Sequence, residues 1–366
     1  IVAFHARAPY DGHGRHLWNS DMAALPGAGM IAPYCGAMQT DTGTRPEESR
    51  IGLRTAGSAV LALLTAALGL IVLIRIFSLQ LGYVMVATMA MLPYICVLGL
   101  LLAAISLLLK RWWIGAVAGV LALILCVVIV PRAIGGPDDI AGSPLRLMAL
   151  NMYFGRADPH EVVDLVRREH IQLLSLEELT DTALQRLDQE GIRQLLPYRV
   201  VNPAESSGLG TGLLSATPLR RLDLTGQKTT FESPSAQLNR SGQQPVQIVA
   251  FHARAPYDGH GRHLWNSDMA ALPSAGGPGC RVISGDFNAT LDHPDLRKVL
   301  SRGYRDAADV VGAGLRPTWW GGKIIPPMVI DHVLVSKPCG VKGFHVVDVK
   351  DSDHHAVIAT LVVPPA

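Results

Sequence analysis

Three long uncharged apolar stretches near the start of the chain restrict its fold more than any other feature. They cover 56–74, 76–109 and 112–130, and the first and third are each 19 residues long. A helix rises 1.5 Å per residue, so about 20 apolar residues cross the roughly 30 Å hydrocarbon layer of a bilayer. Helices of a soluble core usually keep a polar stripe. We therefore expect three transmembrane helices within 56–131, the second with an interfacial lead-in and a kink at Pro93.

Basic residues at the ends of these stretches set the expected orientation, because Lys and Arg near span ends are retained on the cytoplasmic side. The flanks that this rule assigns to the outer side contain only Arg75 and Arg132. The sequence thus predicts a multi-pass plasma-membrane protein with a cytoplasmic tail at 30–55 and an extracytoplasmic part after Pro131. The five cations assigned to the cytoplasmic side are Arg45, Arg50, Arg54, Lys110 and Arg111.

The first 26 residues of the chain recur letter for letter at 248–273. Working structural repeats diverge, because only their buried pattern is constrained. We interpret 1–29 as a duplicated segment of artificial origin and expect His5 within it to be inert. The alternative is a real duplicated strand that competes with the internal copy for its place in a sheet.

Charge and cysteine usage narrow the class of protein. After Arg132 the chain has 25 acidic and 23 basic residues, so it is not a basic nucleic-acid surface in bulk, and no nucleic-acid partner is expected. The five cysteines have no CxxC spacing and indicate neither a zinc site nor a redox pair. The pattern gives little support to a disulfide between Cys280 and Cys339. The sequence makes no prediction of the oligomeric state.

A linker at 132–144 leads into a second half, 145–366, with a different pattern. Short apolar runs alternate there with Gly, Pro, Asn and Asp, and one amphipathic segment covers His160 to His170. This order predicts one α/β domain. Its acidic and amide side chains repeatedly fall at strand ends, where a rigid sheet can hold them around one cleft.

Polar motifs along this second half occur in the order typical of one superfamily. The motifs are Asn151, LSLEEL with Glu178, GTGLLS from Gly210, AFHA with His252, SGDFNAT with Asp286 and Asn288, IDHVLVS with Asp331, and SDHHAV with Asp353 and His354. Together they resemble the endonuclease/exonuclease/phosphatase superfamily over about 145–363. The resemblance implies a four-layer α-β-β-α sandwich and a hydrolase that cleaves a phosphoester with a divalent metal.

The resemblance implies that Asn151, Glu178 and Asp353 hold Mg²⁺, with Mn²⁺ as the alternative ion. The residue types agree, because Mg²⁺ prefers hard oxygen ligands and keeps several waters. Glu177 competes with Glu178, since adjacent side chains on a strand point to opposite faces. Here Glu177 replaces the Gln that the family usually has.

Five further residues carry catalytic roles by the same resemblance. Asp286 orients and deprotonates the attacking water, while Asn288 and His252 face the phosphate. Asp331 fixes the tautomer of His354, whose imidazolium stabilises phosphoryl charge. Taken alone, the GDFN motif fits an Asx turn that closes a strand equally well.

Other candidates have weaker patterns. Trp319 and Trp320 could line an apolar substrate groove, but packing at the base of a loop fits them at least as well. The glycine-rich stretch 208–212 is expected to be a tight turn before a strand. No Gly-x-Ser-x-Gly motif is present, so covalent catalysis is not expected. The histidines expected to lie at the surface or behind the site are His260, His263, His345 and His355.

The arrangement of spans and domain suggests the substrate. Three spans followed by an extracytoplasmic domain of this superfamily resemble VanJ-type membrane proteins, which are associated with teicoplanin antibiotic resistance in actinobacteria. The resemblance implies removal of phosphate from a lipid-linked substrate, a polyprenyl pyrophosphate such as undecaprenyl pyrophosphate, in cell-wall synthesis. A phospholipase C or sphingomyelinase-like phosphodiesterase would use the same metal residues. An extracellular nuclease would need more Lys and Arg along its groove, and a catalytically idle membrane scaffold is the remaining alternative.

Overall fold

A computed structural model describes residues 45–79, 82–205, 208–226, 228–322 and 324–366. The duplicated segment 1–29, with His5, and residues 30–44 of the predicted tail lie outside the described residues. Residues 61–366 form one compact unit. Of a second unit, residues 2–60, the structure describes only 45–60, which are helical.

The apolar stretches form helices. Among the described residues, two of them, Arg54–Phe77 and Trp112–Ala133, are long and apolar enough to cross a membrane. The second predicted span is a pair of helices bent by 74°. Proline at 93 has no N–H, and its ring clashes with the carbonyl four residues earlier, so a straight helix cannot continue through this point. The helices are α1 (Arg45–Phe77), α2 (Tyr83–Ala90), α3 (Leu92–Leu108) and α4 (Trp112–Ile129), followed by a 3-10 turn (Val130–Ala133).

The prediction of three spans is thus corrected to two clear candidates and one bent pair that becomes a third only if its halves act as one span. The first helix also begins at Arg45, so residues 45–55 of the predicted tail are helical. Leu68, Val72, Leu92 and Leu125 are buried between the helices.

The second half contains twelve described strands in two six-stranded sheets. They are β1 (Ser143–Asn151), β2 (Leu173–Glu177), β3 (Tyr198–Asn202), β4 (Thr211–Ser215), β5 (Leu219–Leu222), β6 (Ser235–Leu238), β7 (Val246–His252), β8 (Cys280–Asp286), β9 (Tyr304–Asp306), β10 (Asp331–Ser336), β11 (Gly340–Val347) and β12 (Ala356–Val363). One sheet has the order β11-β12-β1-β2-β4-β3 and the other β5-β6-β7-β8-β10-β9. The central pairs β1–β2 and β7–β8 are parallel.

Helices cover the outer faces of both sheets. They are α5 (Pro159–Arg168), α6 (Asp181–Gln189), α7 (Ile192–Leu195), α8 (Gly259–Ala271) and α9 (Pro294–Ser301). The short α10 (Ala307–Val310) instead buries Ala307 and Ala308 in the cluster between the sheets. Helix α5 buries Val162, Val163, Leu165 and Val166 on one face, and the side chain of Asp158 accepts a hydrogen bond from the first turn. One apolar cluster lies between the sheets, and one lies under the helices on each outer face. This is the two-sheet α/β sandwich that the sequence predicted.

The disulfide that the pattern hardly supported is present. Cys280 begins β8, and Cys339 directly precedes β11. Both are buried in the cluster between the two sheets, where the chain crosses from β10 in one sheet to β11 in the other. The pairing therefore depends on sheet order, which spacing along the sequence does not reveal.

Candidate active site

One edge of the sandwich gathers the ends of five strands. Asn151 ends β1, Glu177 ends β2, His252 ends β7 and Asp286 ends β8, while the antiparallel β10 starts with Asp331 opposite Asp286. The carboxyl ends of parallel strands lie at the same edge of a sheet, so polar side chains from both sheets lie close together at this edge of the sandwich.

The two adjacent glutamates separate into different environments. Glu178 has a φ of 52°, and its carboxylate accepts hydrogen bonds from the Phe154 N–H at 2.8 Å and from Asn151 Nδ2 at 3.2 Å. Glu177 is fully buried, and its Oε1 accepts from Ser175 Oγ at 2.7 Å. Burial raises the pKa of Glu177 well above its usual range. Glu178 therefore faces the cleft, and Glu177 lies beneath it.

Asp286 is the centre of the cluster. Its Oδ2 lies 3.2 Å from Asn151 Nδ2, 3.6 Å from His252 Nε2 and 3.7 Å from His354 Nε2. His252 Nε2 is also 3.9 Å from Glu178 Oε1. The structure thus brings these five predicted residues together.

Asn288 lies beside Asp286 in a turn. It has a φ of 47°, its N–H donates to Asp286 Oδ1 at 2.8 Å, and its Nδ2 donates to the Ala253 carbonyl at 3.0 Å. The Asx turn expected for GDFN is therefore present. It holds the amide of Asn288 next to the carboxylate of Asp286.

Asp331 and His354 form the predicted pair. His354 Nδ1 lies 3.0 Å from both carboxylate oxygens of Asp331. Thr318, which the sequence analysis did not single out, donates from Oγ1 to Asp331 Oδ2 at 2.6 Å and is fully buried. No motif marks Thr318, because its role depends on a loop that returns to β10.

Asp353 is held by a tryptophan. Its Oδ2 accepts a hydrogen bond from Trp319 Nε1 at 3.2 Å, while its Oδ1 is buried and accepts no hydrogen bond from the described part of the chain. Trp319 is buried and Trp320 is half exposed. Of the two readings left open for these tryptophans, packing at the loop base describes Trp319.

The buried environment shifts the pKa values of Asp286, His354 and His252 in different directions. Burial, with the charge of Asp331, raises the pKa of Asp286 to about 7, against the opposing effect of His354. Burial opposes the charge on His354, but the carboxylates of Asp331 and Asp286 raise its pKa to about 10. Burial and the charge of His354 lower the pKa of His252 to about 3. At neutral pH, His354 is therefore cationic and His252 neutral.

The cluster contains donors suited to a divalent ion. Asp286, Asp331 and His354 present ligand atoms within 4.8 Å of one another. The oxygens of Glu178, Asn151 and Asp353 form a second possible set, and the buried Asp353 Oδ1 has no hydrogen-bond partner among the described residues. An open cavity of about 890 Å³ reaches Asp353 of this second set and is also lined by Phe154, Arg156 and Arg186, among others.

The remaining candidates do not enter the cluster. His345 pairs with Glu169 at 3.4 Å, and His355 pairs with Asp348 at 3.2 Å. His260 and His263 belong to α8. The glycine-rich stretch precedes β4, as expected, and Gly208 packs against Glu178 and Phe154.

Comparison with known proteins identifies the second half. The profile of the "Endonuclease/Exonuclease/phosphatase family" matches residues 148–354, which include all eight predicted site residues. The chain belongs to this family. Members of the endonuclease/exonuclease/phosphatase family are hydrolases of the nuclease and phosphatase type, so the strand-edge cluster is a candidate hydrolase site.

Solved structures similar to this family member have low sequence identity. Humanized D. rerio TDP2 is 14% identical, with 60% of this chain and 98% of that chain covered and a TM-score of 0.47. An endonuclease/exonuclease/phosphatase from Beutenbergia cavernae is 16% identical, with 60% and 72% covered and a TM-score of 0.46. Truncated Caenorhabditis elegans TDP2 is 18% identical, with 61% and 100% covered and a TM-score of 0.45. No curated protein matches the chain.

Proposed function

We propose that the protein is a divalent-metal-dependent phosphohydrolase that removes phosphate from a polyprenyl pyrophosphate, such as undecaprenyl pyrophosphate, at the outer face of the plasma membrane. The observation that supports this proposal most is the joining of a phosphoesterase-type site to apolar helices within one compact unit. A site next to a bilayer gains access to a lipid-borne phosphate, whereas a soluble substrate gains nothing from this placement.

A buried ion cluster joins the catalytic domain to the helices. The carboxylate of Asp292 is fully buried and accepts from Arg75 Nε at 2.8 Å and from Arg132 at 2.8 and 2.6 Å. Arg75 lies in the last turn of α1, and Arg132 follows α4. We call these three residues the Asp292 ion cluster. Buried charges are found where they are paired, so this contact fixes the domain against the helix ends.

The same cluster supports the proposed orientation. Arg75 and Arg132 are the two cations that the orientation rule leaves on the outer side. Both donate to the single carboxylate of Asp292, which offsets one of their two positive charges, so little charge is left here to oppose an extracytoplasmic domain. The disulfide also agrees, since disulfides persist in oxidising compartments outside the cytoplasm.

In our assignment, Glu178, Asn151 and Asp353 hold the metal, Mg²⁺ or Mn²⁺. Their oxygens are the hard ligands that these ions prefer. Asp353 Oδ1 is buried and has no hydrogen-bond partner among the described residues, so it is available as a ligand atom. The alternative set combines Asp286 and Asp331 with one nitrogen ligand, His354, whereas Mg²⁺ prefers ligand sets made of oxygen. A bound metal would polarise the phosphoryl oxygens and offset the charge that develops on them.

Asp286 acts as the general base in this proposal. Its pKa of about 7 lets it accept a proton from water near neutral pH, where a base is most effective. The Asn288 N–H donates to Asp286 Oδ1, whereas Asp286 Oδ2 lies within 3.7 Å of Nε2 of both His252 and His354.

The two histidines then have different tasks. Cationic His354, held by Asp331, stabilises negative charge on the phosphoryl group. His252 is neutral and offers Nε2 to the same space. Asn288 is assigned to the phosphate by the family resemblance, and its Nδ2 donates to the Ala253 carbonyl and to Asp286 Oδ2. Hydrogen bonds orient His354 and Asn288, and the ring of Phe231 packs against the ring of His252.

Features around the site favour a lipid over a nucleic acid. Phe154, which borders Glu178, and Trp320, whose N–H donates to the Asp353 carbonyl, are each about half exposed. The part of the chain after Arg132 has more acidic than basic residues, whereas a nuclease tracks phosphates with Lys and Arg. A role in teicoplanin resistance, as for the VanJ-type proteins that the chain resembles, belongs to the same proposal.

The test offers three substrates to the detergent-purified full chain with Mg²⁺: undecaprenyl pyrophosphate, sphingomyelin and single-stranded DNA. We expect inorganic phosphate from the first alone, and we expect chelation of the metal to stop its release. Phosphocholine from sphingomyelin would instead favour the phosphodiesterase alternative. Shortened DNA would favour the nuclease, and no turnover of any substrate would contradict the proposal.

A further inference from the structure

Trp319 lies between the bent helix pair and the catalytic cluster. Its side chain is 8% exposed and packs in one apolar cluster with Ala90, the last residue of α2, and with Met328 and Ile330. Met91, at the bend itself, packs against the same cluster. Tyr94 of α3 donates from its hydroxyl to the Pro327 carbonyl at 2.8 Å. The loop that carries Trp319 is therefore anchored on the bend.

The opposite edge of Trp319 contacts the site. Its indole Nε1 donates to Asp353 Oδ2 at 3.2 Å, and its ring centroid is 6.4 Å from that of His354. The backbones of Trp319 and Met328 exchange two hydrogen bonds of 3.0 Å, which hold the ring in place. Trp319 thus shares an apolar cluster with Ala90 of α2 and donates a hydrogen bond to Asp353 in the site.

This contact determines which oxygen of Asp353 is free. A carboxylate with one oxygen held by an indole N–H presents its other oxygen in a fixed direction. Asp353 Oδ1 is that other oxygen, and it is buried without a hydrogen-bond partner in the described part of the chain. Groups behind a metal ligand usually orient it and set its affinity for the ion.

We propose that Trp319 is a positioning residue that ties Asp353 to the bend between α2 and α3, so that a membrane-helix residue, Ala90, influences metal affinity. This inference rests on the metal assignment made for Asp353 above. Asp353 is then oriented both by the helices and by the segment between β11 and β12 in which it lies.

The neighbouring tryptophan provides a matched control. Trp320 contacts the ring of His355 and donates to the Asp353 carbonyl only through its backbone N–H, which a side-chain substitution leaves in place. Trp319→Phe removes an indole N–H from Asp353, whereas Trp320→Phe removes one that is not bonded to it. Ala90→Leu enlarges a residue that is 4% exposed and packed with Trp319.

The experiment measures Mn²⁺ binding to the detergent-purified full chain, by calorimetry or by the electron paramagnetic resonance of free Mn²⁺. Trp319→Phe is expected to weaken binding by about 10- to 100-fold, the usual effect of removing a group behind a ligand. Ala90→Leu should weaken it in the same direction, and Trp320→Phe should leave it unchanged. In the Asp353→Asn background, Trp319→Phe should have no further effect, and this comparison separates orientation of Asp353 from a general loss of packing.

Unchanged Mn²⁺ affinity in Trp319→Phe, or an equal loss in Trp320→Phe, would overturn the proposal. So would a full additional loss when Trp319→Phe is combined with Asp353→Asn. Melting temperatures of all variants establish that folded protein is compared. Because Mn²⁺ alone is the probe, the result does not depend on whether a polyprenyl pyrophosphate is the substrate.

Discussion

Asp286 combines two properties at the scale of a single residue: complete burial and contact with both site histidines. Replacing it with Asn keeps an oxygen for the Asn288 N–H but removes the base. We expect Asp286→Asn to lower metal-dependent phosphate release by at least about 10² to 10⁴, the usual contribution of a positioned base. Asp348→Asn changes a carboxylate that is 86% exposed and should retain wild-type turnover. Wild-type-like turnover in Asp286→Asn would remove Asp286 from the mechanism.

Substitutions at two residues distinguish the proposed metal ligands from the pair formed by Asp331 and His354. In our assignment, Glu178→Gln weakens Mn²⁺ binding at least about tenfold, because it removes a charged ligand. His354→Gln removes a cation and should leave Mn²⁺ affinity the same or higher. Titration of both variants with Mn²⁺ distinguishes the two donor sets. Loss of binding in His354→Gln alone would place the ion among Asp286, Asp331 and His354.

Between the strands, one glycine makes the arrangement of the two glutamates possible. Gly285 has a φ of 135°, and a Cβ there would lie 2.2 Å from the Phe251 carbonyl oxygen and 2.6 Å from Glu177 Oε1. Such a backbone costs a non-glycine residue about 1 to 3 kcal/mol before any clash. We expect Gly285→Ala to lower the melting temperature by several degrees. Gly343→Ala on β11 meets no atom within 4 Å and should change little. Equal melting temperatures would contradict this account.

At this scale the sequence predicts elements better than contacts. The strand ends carry the site residues in chain order, so Asp286, Asp331 and their neighbours could be found from motifs. Strand periodicity shows only that Glu177 and Glu178 face opposite ways. The space that buried Glu177 occupies exists because Gly285 in the other sheet has no Cβ. Pro93 marks the bend in the sequence. The apolar cluster of Trp319 and Ala90 joins residues more than two hundred positions apart, and no local pattern encodes it.

Across the whole molecule, the Asp292 ion cluster joins the helices to the domain. Asp292→Asn leaves two buried arginines without their counter-charge, and breaking a buried pair in this way costs about 3 to 5 kcal/mol. We expect a clear fall in the melting temperature of the detergent-purified protein at pH 7. Asp164→Asn, which breaks an exposed pair with Arg167, should have almost no effect.

The same variant has an expected pH dependence. Burial would raise the pKa of Asp292, but hydrogen bonds and charges from Arg132 and Arg75 hold it below its usual range. A lowered folded-state pKa stabilises the protein above the unfolded-state pKa of about 4, and the contribution is lost as pH falls through the folded-state value. The gap in melting temperature between wild type and Asp292→Asn should therefore be wide at pH 7 and close below about pH 4. A gap that stays constant would show that ionisation of Asp292 does not stabilise the fold.

The spacing of the ion cluster along the chain also imposes an order on biosynthesis. Asp292 is separated by 217 residues from Arg75 and by 160 from Arg132. Both arginines leave the ribosome long before their partner is made, and domains generally fold in the order of their synthesis. In the proposed topology, the helices enter the membrane while Arg75 and Arg132 at their outer ends are still hydrated and have not yet bound Asp292. Attachment of the finished domain is then the last step of maturation.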